Sequence, residues 1–123
     1  MTPNNISPIA STPATPYYSV IFTSIRAAGD DANYSAMADC MLLMAAEQDG
    51  FLGAESVRDS CGVGITVSYW RDLESIERWH GVEEHRQAQS LGRLRWYDCF
   101  SVRICKVERD YNFCRPADRS ADS

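Results

Sequence analysis

Two runs of eight residues, Phe51 to Arg58 and Val63 to Trp70, are separated only by Asp59-Ser60-Cys61-Gly62. The runs are rich in β-branched and aromatic residues, and the connection is made of turn formers. Four residues cannot carry a crossover, so the two runs must pair antiparallel as a hairpin. The centre of the chain is thereby committed to a sheet that reverses direction.

The flanking segments extend this unit. Tyr17 to Arg26 (YYSVIFTSIR) reads as a strand without a breaker. Gly29-Asp30-Asp31 marks a loop, and Asn33 or Asp31 can cap a helix beginning near Tyr34. Tyr34, Met37, Ala38, Met41, Leu42 and Ala45 form its buried stripe, and Gly50 supplies a left-handed terminus. After the hairpin, Asp72 caps a second helix with Leu73, Ile76 and Trp79 on one stripe. Gly81 is expected to interrupt it, with a further helical run from about Glu83 to Tyr97. Cys99 to Arg109 then alternates as a strand, with Val102 and Ile104 on one side and Arg103 and Cys105 on the other.

The order strand, helix, strand, strand, helix, strand is the split βαβ arrangement of an α+β, ferredoxin-like fold. Both helices fall on one face of a four-stranded antiparallel sheet. The other face still carries apolar side chains. A homodimer joined through these sheet faces would cover them.

A chain of 123 residues allows one domain. Residues 1–16 contain four of the five prolines among Ser, Thr, Asn and Ala, and read as a flexible arm. The domain is expected over 17–111, with a hydrophobe-poor tail at 112–123. Seventeen acidic against twelve basic residues, a net charge of −5, argue against a nucleic-acid or anionic-membrane partner. Five cysteines with no Cys-x-x-Cys spacing read as reduced thiols in a cytoplasmic protein, not as disulfides or a zinc site. His80 and His85 are five apart and do not share a helical face, so no metal site is expected.

Several segments carry a family resemblance: FLGAESVRDSCGVGITVSYWRDLESIERW, HGVEEHRQAQ and RWYDCFSVRICKVERDY. Phe51-Leu52-Gly53 after a helix, a strand ending Tyr69-Trp70, and Trp79 nine residues beyond Trp70 are its most specific parts. Together they resemble the antibiotic biosynthesis monooxygenase family of the dimeric α/β-barrel superfamily, from about Tyr17 to Phe113. The resemblance implies a small cofactor-independent monooxygenase acting on an aromatic, polyketide- or quinol-like metabolite. A related group binds and degrades heme, using a strand-one asparagine, a second-helix tryptophan and a histidine ligand. Trp79 matches the tryptophan, Gln89 stands at the histidine position with His85 one turn earlier, and the first strand contains no asparagine. Heme binding is thus the alternative, and a non-catalytic dimeric ligand-binding module is a third.

His85 is the candidate base, since histidine titrates near neutral pH and can take a proton from a phenol or quinol. It shares a helical face with Ala88, Gly92 and Trp96. Arg86 is the candidate anion stabiliser. Trp79 and Trp96 are expected to pack the core or to wall an aromatic-binding cavity, with Tyr18, Phe22, Tyr69 and Tyr97 as further lining residues.

Overall fold

The structure, a computed structural model, describes residues 8–29, 31–90 and 96–116. Six elements follow in order: β1 (Tyr17–Arg26), α1 (Asp31–Ala46), β2 (Phe51–Arg58), β3 (Val63–Trp70), α2 (Leu73–Ser90) and β4 (Tyr97–Val107). The strands form one sheet in the order β2-β3-β1-β4, and every neighbouring pair is antiparallel. This is the ferredoxin-like βαββαβ fold.

The hairpin is pinned by Asp59. Its backbone N–H donates to the Val63 carbonyl at 2.9 Å, and its carboxylate accepts from the N–H groups of Cys61 and Val63, both at 2.9 Å. An aspartate that bonds its own following backbone in this way closes the turn before the strands need to meet. At the start of α2, Asp72 accepts from the Ser75 N–H at 2.8 Å and from its hydroxyl at 2.6 Å, which satisfies a first-turn donor.

Three expectations are corrected. Gly81 does not interrupt α2, which runs unbroken to Ser90. A mid-helix glycine costs about 1 kcal/mol relative to alanine, and continuing the helix through it carries Val82 against the core. His80 consequently lies inside α2, 3.4 Å from Glu84 one turn on, not at a helix end. Helix α1 stops at Ala46, and Gly50, with φ +92°, shapes the turn into β2 instead. Finally, β4 begins at Tyr97 and ends at Val107, because its partner β1 sets the register from Arg26 opposite Tyr97 to Tyr17 opposite Val107.

The core sits between the helices and one face of the sheet. Trp70, fully buried, stacks on Trp79 with centroids 6.1 Å apart and receives the edge of Phe51 at 5.4 Å. Ala45 and Ile76 complete the buried cluster, and Tyr18, Val20, Met41, Met44 and Val82 pack against it. Strand β3 is amphipathic in an unusual sense. Trp70, Ser68, Thr66 and Gly64 face the helices, whereas Tyr69, Val67, Ile65 and Val63 face the other way. On this strand the hydroxyls thus share the helix side of the sheet with Trp70, and the aliphatic side chains take the open face.

Residues 8–16, the described part of the expected arm, meet the open face at one end. The Ala10 N–H donates to Glu55 at 2.9 Å, and the Thr12 and Tyr17 hydroxyls are 2.8 Å apart. Tyr17 also donates to Asp110, and Tyr69 donates to Glu55 at 2.7 Å. These polar ties order a segment that has little apolar surface to bury. At the opposite end Ile25, Val57, Val63 and Ile65 remain 41–71% exposed.

Candidate active site

The helix-covered face divides into two aromatic regions. The Trp70–Trp79–Phe51 cluster fills one end. At the other end, Tyr97 at the start of β4 meets the edges of Phe22 at 5.2 Å and Phe100 at 6.1 Å. Tyr34, from the first turn of α1, packs edge-on to Trp96 and Tyr97 at 5.8 and 5.9 Å. The Tyr34 and Tyr97 hydroxyls stand 3.5 Å apart. The floor beneath is polar: the Ser56 and Thr66 hydroxyls are 2.7 Å apart, and Ser68 accepts from the Trp70 indole at 2.9 Å.

Positive charge borders this second region. Arg58 ends β2 on the helix-covered side, donating to the buried Ser24 hydroxyl at 2.7 Å and to the Gly62 carbonyl. Its guanidinium lies 5.4 Å from the centre of the Tyr34 ring, and that of Arg26 lies 4.4 Å from it. Burial, reinforced by the hydrogen bond to Tyr34, pushes the Tyr97 phenol above its ordinary range and keeps it protonated at neutral pH.

Of the residues singled out from the sequence, Trp79 lies in the core cluster with Tyr18 against it. Phe22 and Tyr97 meet in the second region, where Trp96 joins through Tyr34. Tyr69 is separated from all of these. It lies on the open face against Tyr17 at 5.9 Å, and burial together with Glu55 pushes its phenol up to about 12.

His85 and Arg86 line an open groove of about 760 Å³ between α1 and α2, with Met44, Gln48, Glu77, Arg78, Gly81 and Val82. Arg86 reaches Cys40 at 3.7 Å. Both residues are exposed and open between the helices, not onto the hydroxyl floor of the sheet. The Ala88 and Gln89 side chains and Gly92, which entered the helical-face and heme-ligand comparisons, lie outside the described residues. No three His, Cys, Asp or Glu side chains among the described residues form a metal-holding group, and no described helix is long and apolar enough to cross a membrane.

From the sequence, Tyr34 stood out only as a stripe residue, and Arg26, Arg58 and the hydroxyl floor were not anticipated. A period-2 signal for the floor exists in VGITVSYW, where small or polar residues occupy alternate positions before Trp70.

The chain has recognisable relatives. The family model described as Monooxygenase af470-like matches residues 26–98. The Bacillus subtilis (strain 168) uncharacterized protein YqjZ is 45% identical over 105 residues, spanning 85% of this chain and 91% of YqjZ. Among solved structures, a mutant of SnoaB, a cofactor-independent oxygenase from Streptomyces nogalater, superposes with a TM-score of 0.60 at 12% identity, covering 77% of this chain and 95% of that one. A putative antibiotic biosynthesis monooxygenase from Chloroflexus aurantiacus J-10-fl gives 0.55 at 15% identity, covering 80% and 97%. At those identities the two structures bear on the fold alone. With the family model spanning more than half of its length, this chain belongs to the Monooxygenase af470-like family, of the antibiotic biosynthesis monooxygenase type.

Proposed function

We propose that the protein is a cofactor-independent monooxygenase that oxidises an electron-rich aromatic metabolite held between the helices and the sheet. The observation that carries this reading is the reversed polarity of β3. A sheet face that serves only packing puts its aliphatic residues under the helices. Here Thr66 and Ser68 occupy that side, beside a protonated Tyr97 phenol and the rings of Phe22, Tyr34 and Trp96. Apolar walls with a few convergent polar groups are what an aromatic, oxygen-bearing ligand requires.

The reaction closes on dioxygen alone. A base removes a proton from an activated carbon of the substrate, the carbanion reduces dioxygen, and a C–H2 centre becomes C=O with release of water. The protein supplies orientation, the base and donors for the developing anion. His85 is the proposed base and Arg86 the anion stabiliser; both line the inter-helix groove, so this assignment requires the reacting edge of the substrate to reach that groove from beside the sheet. Trp79, Trp96, Tyr18, Phe22 and Tyr97 are the proposed walls. Tyr69 has no part in this, since it faces the other side. The open aliphatic face is proposed to be covered by a second copy of the chain at its Ile25, Val57, Val63 and Ile65 end.

An oxygen electrode with 1,8-dihydroxyanthrone tests the activity. The expected result is protein-dependent oxygen uptake that falls in His85→Ala while the melting temperature stays close to that of the parent, since exposed substitutions move stability by no more than about 0.5 kcal/mol. Binding of the anthrone without oxygen uptake would favour the ligand-binding module instead. Uptake unchanged in His85→Ala would remove His85 from the mechanism.

A further inference from the structure

We infer that the Tyr34 and Tyr97 phenols, bordered by Arg26 and Arg58, form a receptor for one anionic ligand oxygen, a phenolate or enolate; this rests on the aromatic-substrate reading above. The two hydroxyls come from elements 63 residues apart and converge to 3.5 Å. A good O–H···O hydrogen bond is about 2.7–2.8 Å, so the bond between the two phenols is long and weak, and each hydroxyl keeps capacity for a better partner. An oxygen seated beside both would accept from each at ordinary distance.

The rings that carry these hydroxyls are fixed. Tyr34 and Tyr97 are edge-on to one another at 87°, Trp96 closes on Tyr34, and Phe22 and Phe100 close on Tyr97. Protonated at neutral pH, Tyr97 donates. Arg26 and Arg58 lie over the Tyr34 ring, where a cation draws electron density from the ring and strengthens its hydroxyl as a donor. The Ser24 hydroxyl and the Gly62 carbonyl hold the Arg58 guanidinium in place. Glu83 adds an opposing negative charge near Tyr97. Two donors flanked by Arg26 and Arg58, with Glu83 opposing them, favour an anionic oxygen over a neutral one. An ionised substrate is also the form that gives up electrons to dioxygen, so the receptor would hold the reactive species.

The test uses the full chain and two probes, 4-nitro-1-naphthol at mildly alkaline pH, where it is an anion, and its methyl ether, which cannot ionise. Calorimetric titration should show the naphtholate bound more tightly than the ether. Tyr97→Phe and Tyr34→Phe should each weaken the naphtholate about tenfold and leave the ether within about twofold. Arg58→Gln should act on the naphtholate alone. Because the phenylalanine variants keep the rings, melting curves will show whether each is folded, and either one suffices. Equal losses on both probes, no loss, or no binding of either probe would overturn the proposal. Naphtholate selectivity without oxygen uptake on 1,8-dihydroxyanthrone would keep the receptor and reject the oxygenase. Uptake indifferent to both tyrosine variants would do the reverse.

Discussion

Along β3 the two faces of the sheet have opposite chemistry, while β4 puts Val102 and Ile104 on the helix side and Arg103 and Cys105 on the open side. Strand β3 alternates Val63, Ile65, Val67 and Tyr69 on the open face with Gly64, Thr66, Ser68 and Trp70 under the helices. Were this a self-sufficient monomer, the aliphatic set would belong beneath the helices and the hydroxyls in water. The difference separates two demands. Around Ile25, Val57, Val63 and Ile65 the open face offers the non-directional apolar surface that the proposed second copy would cover, and the second aromatic region offers the fixed rings and oriented donors that the proposed ligand would use.

The contrast between the faces breaks most visibly at Ile65. Introducing a carboxylate there as Ile65→Asp should convert a dimer to monomers. An uncompensated charge at an apolar contact costs about 3–5 kcal/mol, a weakening of at least about a hundredfold. Light scattering at micromolar concentration reads the mass directly. A parent protein that is already a monomer would reject the role assigned to the open face.

Next in size is Trp70→Ala under the helices. Trp70 is fully buried, stacked on Trp79 and met by Phe51, so truncation should cost about 3–5 kcal/mol of stability in a denaturant titration. The second aromatic region should be less sensitive to truncation if it is built for a ligand. Phe22→Ala costing as much as Trp70→Ala would mean that both regions are simply core.

Much of this organisation was legible in the chain itself. The bounds of β1, β2 and β3 followed from β-branched runs ended by turn residues, and Asp72 announced the start of α2. The end of β4 was not legible, because an edge strand ends where its partner β1 ends. Gly81 misled because local propensity was outweighed by the packing of Val82, which follows it, against the core. The site was only partly legible. Phe22 meets Tyr97, and Trp96 joins them through Tyr34, but Tyr69 lies on the opposite face of its strand from Trp70, a matter of parity. Tyr34 and Arg58 come together only through the fold, 24 residues apart in sequence, and no local spacing marks them.

The smallest effect concerns how α2 is held over the covered face. Hydrogen bonds from Ser75, with Arg71 nearby, hold the Asp72 carboxyl at about 2 instead of its ordinary 3.8. A depressed carboxyl contributes stability that is fully present above 3.8 and is lost as pH falls through about 2. Melting curves across that window should therefore decline slightly more steeply for the parent than for Asp72→Asn, which has no charge to lose. Identical slopes would show that Asp72 caps through geometry alone.

Methyl-resolved NMR of the full chain, titrated with 4-nitro-1-naphthol, addresses the contrast between the faces most directly. The expected shifts fall on the helix side, at Thr66 and Val102 opposite Phe22 in the second aromatic region, while Ile25, Val63 and Ile65 on the open face stay unmoved. Shifts concentrated at Ile25, Val63 and Ile65, with Thr66 and Val102 unmoved, would contradict the assignment of ligand to one face and protein partner to the other.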